Sequence, residues 1–470
     1  MPPRDQHERM NDKPGVFSPL LAWIVTATSF SFVVVQLDVT IVNVALPRIG
    51  EELHSGVDTL QWIVDAYTLA FAVLLLSAGV LGDRFGSRRA YQLGFLVFAL
   101  ASAACGLAPD AATLIAARAV QGLGAALLVP NSLALLNHAT AHESGLRARA
   151  VGLWTASGAI SIAAGPVIGS LLMASLGWRS IFLVNLPLCA LGMWLTQHYV
   201  QPAPASPGKR GLDPLGQVLV ILALTGLTAA VIEYRSRGLG HPLVWGGLLT
   251  TLLTGAGFIW NEARTAAPML PLRFFGMPNF SAAVVFGVLL NFSYYGMLFA
   301  LTLYLQQAHG YSALQAGLAY LPLTGGFFFS NVLAGRVVER LGSRPPMIFG
   351  ACVGAIGYLL LLRLDAHSSW WTMLPAFLLI PAGMGLAVPA MTTAILASVE
   401  RHWSGTASAV LNAARQAGGA IGVAVFGALV GGGAEHIVTG LGHAALASGV
   451  LLLLAAVLAW LGIHPRRTTV

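Results

Sequence analysis

Charged residues are scarce in this chain of 470 residues, of which Lys, Arg, Asp and Glu make up only 9%. Hydrophobic residues make up 56%, and the mean hydropathy is +0.76. Soluble domains carry about 25% charged residues, so this composition excludes a water-soluble protein. Apolar segments of about 20 residues, the length that crosses a bilayer, recur throughout. The sequence therefore predicts an all-α polytopic membrane protein without a soluble catalytic domain.

Cysteine is also rare. Cys105, Cys189 and Cys352 each lie inside an apolar segment, and their odd number argues against a disulfide framework. We interpret them as small packing residues. Residues 1–17 are polar, and the apolar run that follows them is too long for a signal peptide. That run is therefore expected to remain in the protein as a first membrane helix.

Motifs for enzymatic chemistry are missing. The sequence contains no nucleophile elbow, no paired-histidine zinc motif and no phosphate-binding Gly-x-x-x-x-Gly-Lys-Ser/Thr loop, which argues against ATP as the energy source. His138 and His142 have the spacing of metal ligands, but they are expected in a short solvated loop. The sequence thus predicts a protein that is not an enzyme and that needs no metal or cofactor.

The apolar runs predict fourteen membrane spans. Lysine and arginine accumulate in cytoplasmic loops, and most of the 25 in this chain fall in alternate loops when both chain ends are cytoplasmic. The net charge of +7 then reflects topology and anionic lipid, and nucleic acid is not an expected partner. The predicted spans cover about residues 19–46, 59–81, 90–108, 112–136, 149–175, 180–200, 215–233, 243–260, 280–306, 314–338, 346–363, 371–395, 404–430 and 442–463.

A charged loop occurs twice in the chain. The segment from Gly79 to Arg89 returns as Gly335 to Pro345, with its glycines, acid, serine and arginines in register. Both copies follow the second span of a six-span set, which predicts a parallel duplication. The predicted organisation is a cytoplasmic tail at 1–18, a six-helix bundle at 19–200, a linker with two inserted helices at 201–279, a second six-helix bundle at 280–463 and a cytoplasmic tail at 464–470.

Two acids and one arginine lie inside predicted spans of the first bundle. A carboxylate near mid-membrane costs about 2.5–3.5 kcal/mol, so Asp38 in the first span is expected to face the protein interior. At about 1.5 Å per residue, Asp38, Asp65 and Arg118 lie at similar depths below the outer ends of their helices. Desolvation and a neighbouring guanidinium shift a carboxyl pKa in opposite directions. A change of environment at this level would therefore load and unload a proton.

These charges suggest specific roles. We predict Asp38 as the principal proton site, Arg118 as its modulator, and Asp65 as a second proton site or a counter-charge for a cationic substrate. The alternative is that Asp38 and Arg118 form a fixed ion pair that locks the first span to the fourth. Arg415, near mid-membrane in the thirteenth span, is expected either to contact substrate or to form a hydrogen-bonded hub with polar neighbours.

Motifs along the whole chain resemble those of the fourteen-helix drug:proton antiporter branch of the major facilitator superfamily. They comprise a first-span motif, the repeated loop, a basic fourth-span motif, the antiporter motif of the fifth span and three further segments. These are Leu37–Pro47, Gly79–Arg89, Arg118–Gly124, Gly158–Gly169, Trp178–Pro187, Pro268–Phe275 and Asn412–Gln416. One departure from the family pattern is that no Asp or Glu lies within the six C-terminal spans.

The resemblance implies an exporter of hydrophobic or amphipathic, cationic or neutral compounds. It further implies exchange for protons by alternating access, without a cofactor, by a monomer in a bacterial inner membrane. The loop would hold the inner gate closed, and the fifth span would seal the two halves. From the residues alone, the alternatives are a positive-inside anchor for the loop and close helix packing for the glycines. The loop residues are Gly79, Asp83, Arg84, Gly86, Arg88 and Arg89, and the fifth-span residues are Gly158, Gly165, Pro166 and Gly169.

Aromatic and amide residues of the second and ninth spans, together with Arg415, are candidates for the wall of a substrate cavity. Such a wall suits bulky amphiphiles through stacking and cation–π contact. Alternatives to a multidrug exporter are a dedicated exporter of one metabolite or antibiotic, a polytopic membrane enzyme and a sensor that does not transport. The candidate cavity residues are Gln61, Trp62, Tyr67, Asn291, Tyr294, Tyr295 and Arg415.

Overall fold

The computed structural model describes residues 18–140, 144–201, 213–265, 268–399, 403–431 and 434–463. Within these ranges the chain is almost wholly helical and contains no β-strand. The tails predicted at 1–18 and 464–470 lie outside the described residues, apart from Ser18. Most of the linker that follows residue 201 also lies outside them.

The helices fall into three groups along the chain. The first group is α1 (Pro19–Glu52), α2 (Val57–Phe85), α3 (Ser87–Gly106), α4 (Ala111–Ala139), α5 (Ser144–Leu176), α6 (Ser180–Leu183) and α7 (Asn185–Tyr199). The second group is the inserted pair, α8 (Pro214–Arg237) and α9 (Pro242–Arg264). The third is α10 (Pro278–Leu303), α11 (Ala313–Ala319), α12 (Leu321–Leu341), α13 (Arg344–Leu360), α14 (Trp370–Ser398), α15 (Ser404–Val430) and α16 (Ala434–Gly462).

The described helices account for the predicted number of spans. Twelve helical segments are long and apolar enough to cross a membrane, and two further spans are each bent by 42°. One bent span is α5, which changes direction between Ile162 and Ala164. Pro166 explains this bend, because its ring clashes with the carbonyl of residue 162 and removes a helical hydrogen bond. The other bent span runs from Ala313 to Leu341. Counting each bent segment as one span gives up to fourteen candidate spans in the described residues, in agreement with the prediction.

Some boundaries differ from the sequence prediction. α1 continues through Pro47 to Glu52, and its exposed last turn is supported by ion pairs from Arg48 to Glu51 and Glu52 at 3.1 and 3.0 Å. The sixth span is divided at Val184 into the single turn α6 and the longer α7. Apolar composition alone does not mark these positions, because local ion pairs and backbone turns set them.

The two six-span sets meet along defined helix pairs. α2 packs against α15, and α5 packs against α11 and α12. Within the sets, α1 packs against α5 and α7, while α10 packs against α15 and α16. The inserted pair packs mainly on itself and reaches α2 and α15 through α8. Gln217 of α8 donates to the carbonyl oxygen of Val73 at 2.7 Å, which fixes the pair beside the α2–α15 seam.

The two copies of the charged loop have equivalent structures. Gly86 and Gly342, which follow α2 and α12, both adopt positive φ angles of 92° and 74°. Glycine suits this turn because it has no Cβ to oppose the left-handed region. Arg88 donates to the Gln197 carbonyl in the last turn of α7 at 2.8 Å, and Arg344 donates to the Trp460 carbonyl near the end of α16 at 2.5 Å. Each arginine therefore anchors the sixth span of its own set.

The glycines of α5 allow close approach to α1. A Cβ atom at Gly158 would overlap the ring of Phe32, and one at Gly165 would overlap Thr40 Oγ1. Gly169 faces Ile41 in the same way. The glycines thus pack α5 against α1 within one set and leave the contact with the other set to neighbouring residues.

Pro166 and Ser170 of α5 contact the second set. A Cβ atom at Gly317 of α11 would lie 2.5 Å from the Pro166 carbonyl oxygen and 2.7 Å from Ser170 Oγ. The two backbones therefore come close at this point. Of the predicted sealing residues, Pro166 is the one whose main chain faces the opposite set.

The α1–α5 contact predicts a stability difference between two glycines of the same helix. Gly165→Ala is expected to destabilise the protein by about 1–3 kcal/mol, because the new methyl group overpacks against Thr40. Gly152→Ala is the matched control, because nothing lies within 4 Å of a Cβ atom at Gly152. Thermal unfolding of the purified protein measures both effects. A melting temperature unchanged by Gly165→Ala would contradict the close packing.

Candidate functional site

Asp38 of α1 and Arg118 of α4 form a buried ion pair. Arg118 Nη1 donates to Asp38 Oδ2 at 2.5 Å, and the two residues are 1% and 0% exposed respectively. Asp38 lies near the middle of α1. The apolar residues around it keep the helix in the membrane in spite of this charge. The helix pairs α1–α4 and α2–α4 are both in contact, so the guanidinium enters between three helices.

Amide side chains complete the coordination of Asp38. Gln121 Nε2 and Asn185 Nδ2 donate to Asp38 Oδ1 at 2.9 and 3.1 Å. Both amides also donate to Ser102 Oγ of α3, at 2.8 and 3.3 Å. All of these side chains are buried, so the carboxylate exchanges water for directed donors. The network therefore ties α1, α3, α4 and α7 around one charge.

Arg118 makes further contacts on its other side. Its Nε donates to the Ile63 carbonyl of α2 at 3.1 Å, and its Nη1 donates to Gln121 Oε1 at 2.6 Å. Its guanidinium carbon lies 4.2 Å from the centre of the Tyr67 ring, within cation–π range. The arginine is thus held by one charge, two carbonyl oxygens and an aromatic face.

Asp65 lies at the level of this pair without joining it. Arg118 contacts Ile63 and Tyr67, which lie two residues before and two residues after Asp65 along α2. Asp65 is 0% exposed, and neither of its carboxyl oxygens has a hydrogen-bond partner. An ionised carboxylate without donors would carry its full desolvation cost. The three predicted charges therefore share a depth, while only two of them are paired.

A central cavity of about 1710 Å³ lies between the two six-span sets. It extends from Gln36 of α1 and Asn291 of α10 to Asn137 and Leu396, near the ends of α4 and α14. These ends lie on the face that carries the turns at Gly86 and Gly342, which we call the loop face. The cavity exceeds the roughly 300–1,000 Å³ of ordinary ligand pockets, so it has room for a bulky molecule.

At the opposite face of the molecule, the two sets are joined by hydrogen bonds from side chains to backbone carbonyls. Gln61 Nε2 donates to the carbonyls of Val423 and Ala424 at 3.2 and 2.7 Å. Gln306 Nε2 donates to the Val44 carbonyl at 2.9 Å. The structure is therefore open towards the loop face and closed at the other.

The candidate cavity residues of the second set line the cavity, and those of the first set do not. Asn291, Tyr294, Tyr295 and Arg415 line the cavity, whereas Gln61, Trp62 and Tyr67 are not part of its wall. The structure places Gln61 in the contact with α15 and Tyr67 against the Arg118 guanidinium. The physical reason is the rotation of α2 about its axis, because α2 turns other side chains, including Phe71, Leu75 and Ser77, towards the cavity.

The loop residues are placed as follows. Gly86 forms the turn, Arg88 bonds to α7, and Gly79 lies in α2 at the cavity wall. Arg84 and Arg89 are exposed on the loop face. The side chain of Asp83 lies outside the described residues. Among the described residues, the hydrogen bond from Arg88 to Gln197 stays within the first set, which agrees with a cavity that is open on this face.

Gln121, Asn185 and Ser102 are site residues to which sequence reasoning gave no role. Gln121 lies three residues after Arg118, so both project from one face of α4. Asn185 belongs to a recognised segment, but only the fold brings it beside Asp38. No group of three or more His, Cys, Asp or Glu side chains in the described chain has the arrangement of a metal site.

Comparisons with known proteins agree with this architecture. The model of the family described as Major Facilitator Superfamily matches residues 28–423. The chain is 38% identical over 440 residues to the methylenomycin A resistance protein of Streptomyces coelicolor, which covers 93% of this chain and 91% of that protein. It is 39% identical over 404 residues to the multidrug resistance protein Stp of Mycobacterium tuberculosis, covering 86% and 75% respectively.

A solved structure shares the fold. The human organic anion transporter MFSD10 (TETRAN) superposes with a TM-score of 0.67 and covers 94% of this chain and 100% of its own. Its sequence identity is 16%, so the likeness concerns the fold alone.

The different environments of the two buried acids predict different effects of neutralisation. Asp38→Asn is expected to lower stability by about 3–5 kcal/mol, because it leaves Arg118 buried without its counter-charge. Asp65→Asn is expected to change stability little, because the Asp65 carboxyl has no partner to lose. Thermal unfolding in detergent compares the two variants. Equal destabilisation by both would contradict the assignment of the ion pair.

Proposed function

Because the chain belongs to the major facilitator superfamily, a family of multi-pass membrane transporters, we propose that it exports hydrophobic or amphipathic small molecules in exchange for protons. The proposal rests on one observation: the first set holds a buried ionic network, and a cavity that opens on one face only lies between the two sets. Relatives named for multidrug and antibiotic resistance support the substrate class. The protein is a transporter without enzymatic chemistry of its own.

Alternating access follows from the two ends of the cavity. We place the loop face in the cytoplasm, on the charge bias of the sequence, so substrate enters there. The outward state requires the bonds of Gln61 and Gln306 to break and the loop-face ends of the two sets to close. The sets are proposed to move as the six-helix bundles at 19–200 and 280–463, with the inserted pair beside their seam.

Protons act on the ion pair in this proposal. A proton that reaches Asp38 Oδ2 removes the charge that holds Arg118 Nη1, while Ile63 and Gln121 still accept from the guanidinium. The link between α1 and α4 then weakens, and α1 also carries Gln36 of the cavity wall. Asp38 is sealed from solvent in this conformation, so proton exchange requires movement, and movement couples it to substrate.

Asp65 is a second candidate proton site. Its unpartnered carboxyl lies one helical turn from Gln61, the residue that bonds α2 to α15. A change in charge at Asp65 would therefore act on the seam between the two sets. The alternative role of Asp38 is a fixed ion pair with Arg118 that locks α1 to α4. This role has the same geometry as the proton site, and the two differ only in whether a proton reaches Asp38.

A dedicated exporter of one antibiotic is the second candidate function. The specific observation in its favour is that the resistance protein of Streptomyces coelicolor, matched over nearly the whole of both chains, is named for methylenomycin A alone. Either transporter is proposed to be a monomer in a bacterial inner membrane, with both termini cytoplasmic and the proton gradient as energy source.

Proton exchange is tested with purified protein in liposomes that contain a pH dye and sustain an imposed proton gradient. Addition of a panel of amphiphilic compounds is expected to trigger proton flux in the wild type and to fail in Asp38→Asn. Glu51→Gln, at an exposed end of the same helix, is the control and should transport normally. Flux with a single compound favours the dedicated exporter.

Equal flux in wild type and Asp38→Asn would overturn the role of Asp38 and assign the ion pair to the lock. Both variants must first be shown to elute as folded protein by size-exclusion chromatography. Loss of flux in Glu51→Gln as well would mean that the assay reports general damage to α1.

A further inference from the structure

Arg415 places a positive charge in the middle of the cavity. It lies near the centre of α15, lines the cavity and is partly buried. Its Nε donates to Asn291 Oδ1 of α10 at 3.2 Å. A Cβ atom at Gly287 would lie 3.0 Å from Arg415 Cγ, so the absence of a side chain there makes room for the arginine stem. The guanidinium is therefore held in position at one edge.

The terminal amino groups of Arg415 have no hydrogen-bond partner among the residues that the structure describes. Within the described chain, the Asn291 bond is the one hydrogen bond that Arg415 makes, and no carboxylate lies within ion-pair distance of it. Asp38 cannot serve, because it is sealed and paired with Arg118. A guanidinium has five N–H donors, so most of those on Arg415 remain for a ligand or water.

The acidic residues of the cavity wall lie at its mouth, away from Arg415, and are hydrogen-bonded to the protein backbone. Among the described lining residues, the acids are Asp213 and Glu262, on the inserted pair at the loop-face mouth. Asp213 accepts from the Gly216 amide at 2.8 Å, and Glu262 accepts from the Leu270 amide at 2.9 Å. Both carboxyls are engaged with the protein backbone. Among the described lining residues, Arg415 is therefore the charged group at the centre of the cavity.

An aromatic surface adjoins this charge. Tyr294 of α10 packs edge-on against Tyr295 and Phe327, with ring centres 5.3 and 5.2 Å apart, and all three line the cavity. The Tyr294 hydroxyl is buried and has no hydrogen-bond partner. A flat apolar body suits these rings, and an acceptor oxygen suits both the hydroxyl and the guanidinium.

We propose that Arg415 is the binding site for an anionic oxygen group of the substrate, a carboxylate, sulfonate or phenolate, on an aromatic or apolar body packed against Tyr294, Tyr295 and Phe327. This inference rests on the proposed export function and names its substrate class. Hydrogen bonds between guanidinium and oxyanion are roughly twice as strong as neutral ones. A cation of the same shape would instead meet a like charge in a desolvated site.

The proposal changes the expectation from sequence, which favoured cationic or neutral compounds. That expectation came from the family resemblance and from Asp65 as a candidate counter-charge for a cation, and Asp65 does not belong to the described wall of the cavity. The described cavity wall contains an arginine at its centre and carboxyls only at its mouth. Organic anions and neutral molecules with strong acceptors are thus the preferred class.

Two dyes with one ring system test the preference. Anilinonaphthalene sulfonate and phenylnaphthylamine differ by the sulfonate, and their binding is measured by calorimetry in nanodiscs of zwitterionic lipid, with empty discs subtracted. The wild type is expected to bind the sulfonate at least tenfold more tightly. Arg415→Gln is expected to remove this preference and leave the affinity for the neutral dye unchanged, while Arg415→Lys retains part of it.

Two further variants separate charge from folding. Asn291→Asp keeps the guanidinium and supplies a carboxylate at the 3.2 Å contact, so it is expected to abolish the sulfonate preference. Arg273→Gln is the control, because Arg273 lines the mouth of the same cavity and stacks on Trp403 at 4.3 Å. Arg273→Gln should bind both dyes as the wild type does.

Equal affinity of the wild type for both dyes, or no binding of either dye up to its solubility limit, would overturn the proposal. A parallel loss of both affinities in Arg415→Gln would also overturn it and assign Arg415 to a structural hub with Asn291. The assay uses no proton gradient. A sulfonate preference without substrate-driven proton flux would therefore leave the binding site standing and refute the exchange mechanism.

Discussion

A charge inside a membrane must be compensated within the protein, and the contact between Asp38 and Arg118 is where this chain meets that demand. The pair is enclosed by Gln121 and Asn185 and by the backbone of α2. The contacts that hold α1 in place, including the glycine contacts with α5, keep the pair in register. Loss of one partner would leave the other charge buried and uncompensated, which costs more stability than replacing both partners by apolar residues. The N-terminal set is therefore organised around this contact.

The two six-span sets use their buried charges differently. The first set seals a paired acid and base away from the cavity, whereas the second exposes Arg415 to it with no counter-ion among the described residues. This separation suits an exchanger, because the proton and the substrate can occupy different sites and communicate through helix movement. Asp65 lies on α2, which contacts both Arg118 and α15, and so connects the two arrangements.

Much of the fold could be predicted from sequence. Apolar length predicts the fourteen spans, and the repeated loop predicts equivalent turns at Gly86 and Gly342. Helical rise placed Asp38 and Arg118 at one level. Rotation about the helix axis could not be predicted, because α2 is apolar on most sides and has no solvent-facing stripe to orient it. For that reason Gln61 and Tyr67 were expected in the cavity, and the amide partners of Asp38 became visible only in three dimensions.

Infrared difference spectroscopy tests the central claim most directly, by recording whether Asp38 takes up a proton. Wild type and Asp38→Asn in lipid discs would be compared on acidification, with saturating substrate to permit movement. The account predicts a protonated-carboxyl band in the wild type that is reduced in Asp38→Asn by the signal of one acid. Identical bands in the two proteins would show that Asp38 stays ionised beside Arg118 and that the pair is a fixed lock.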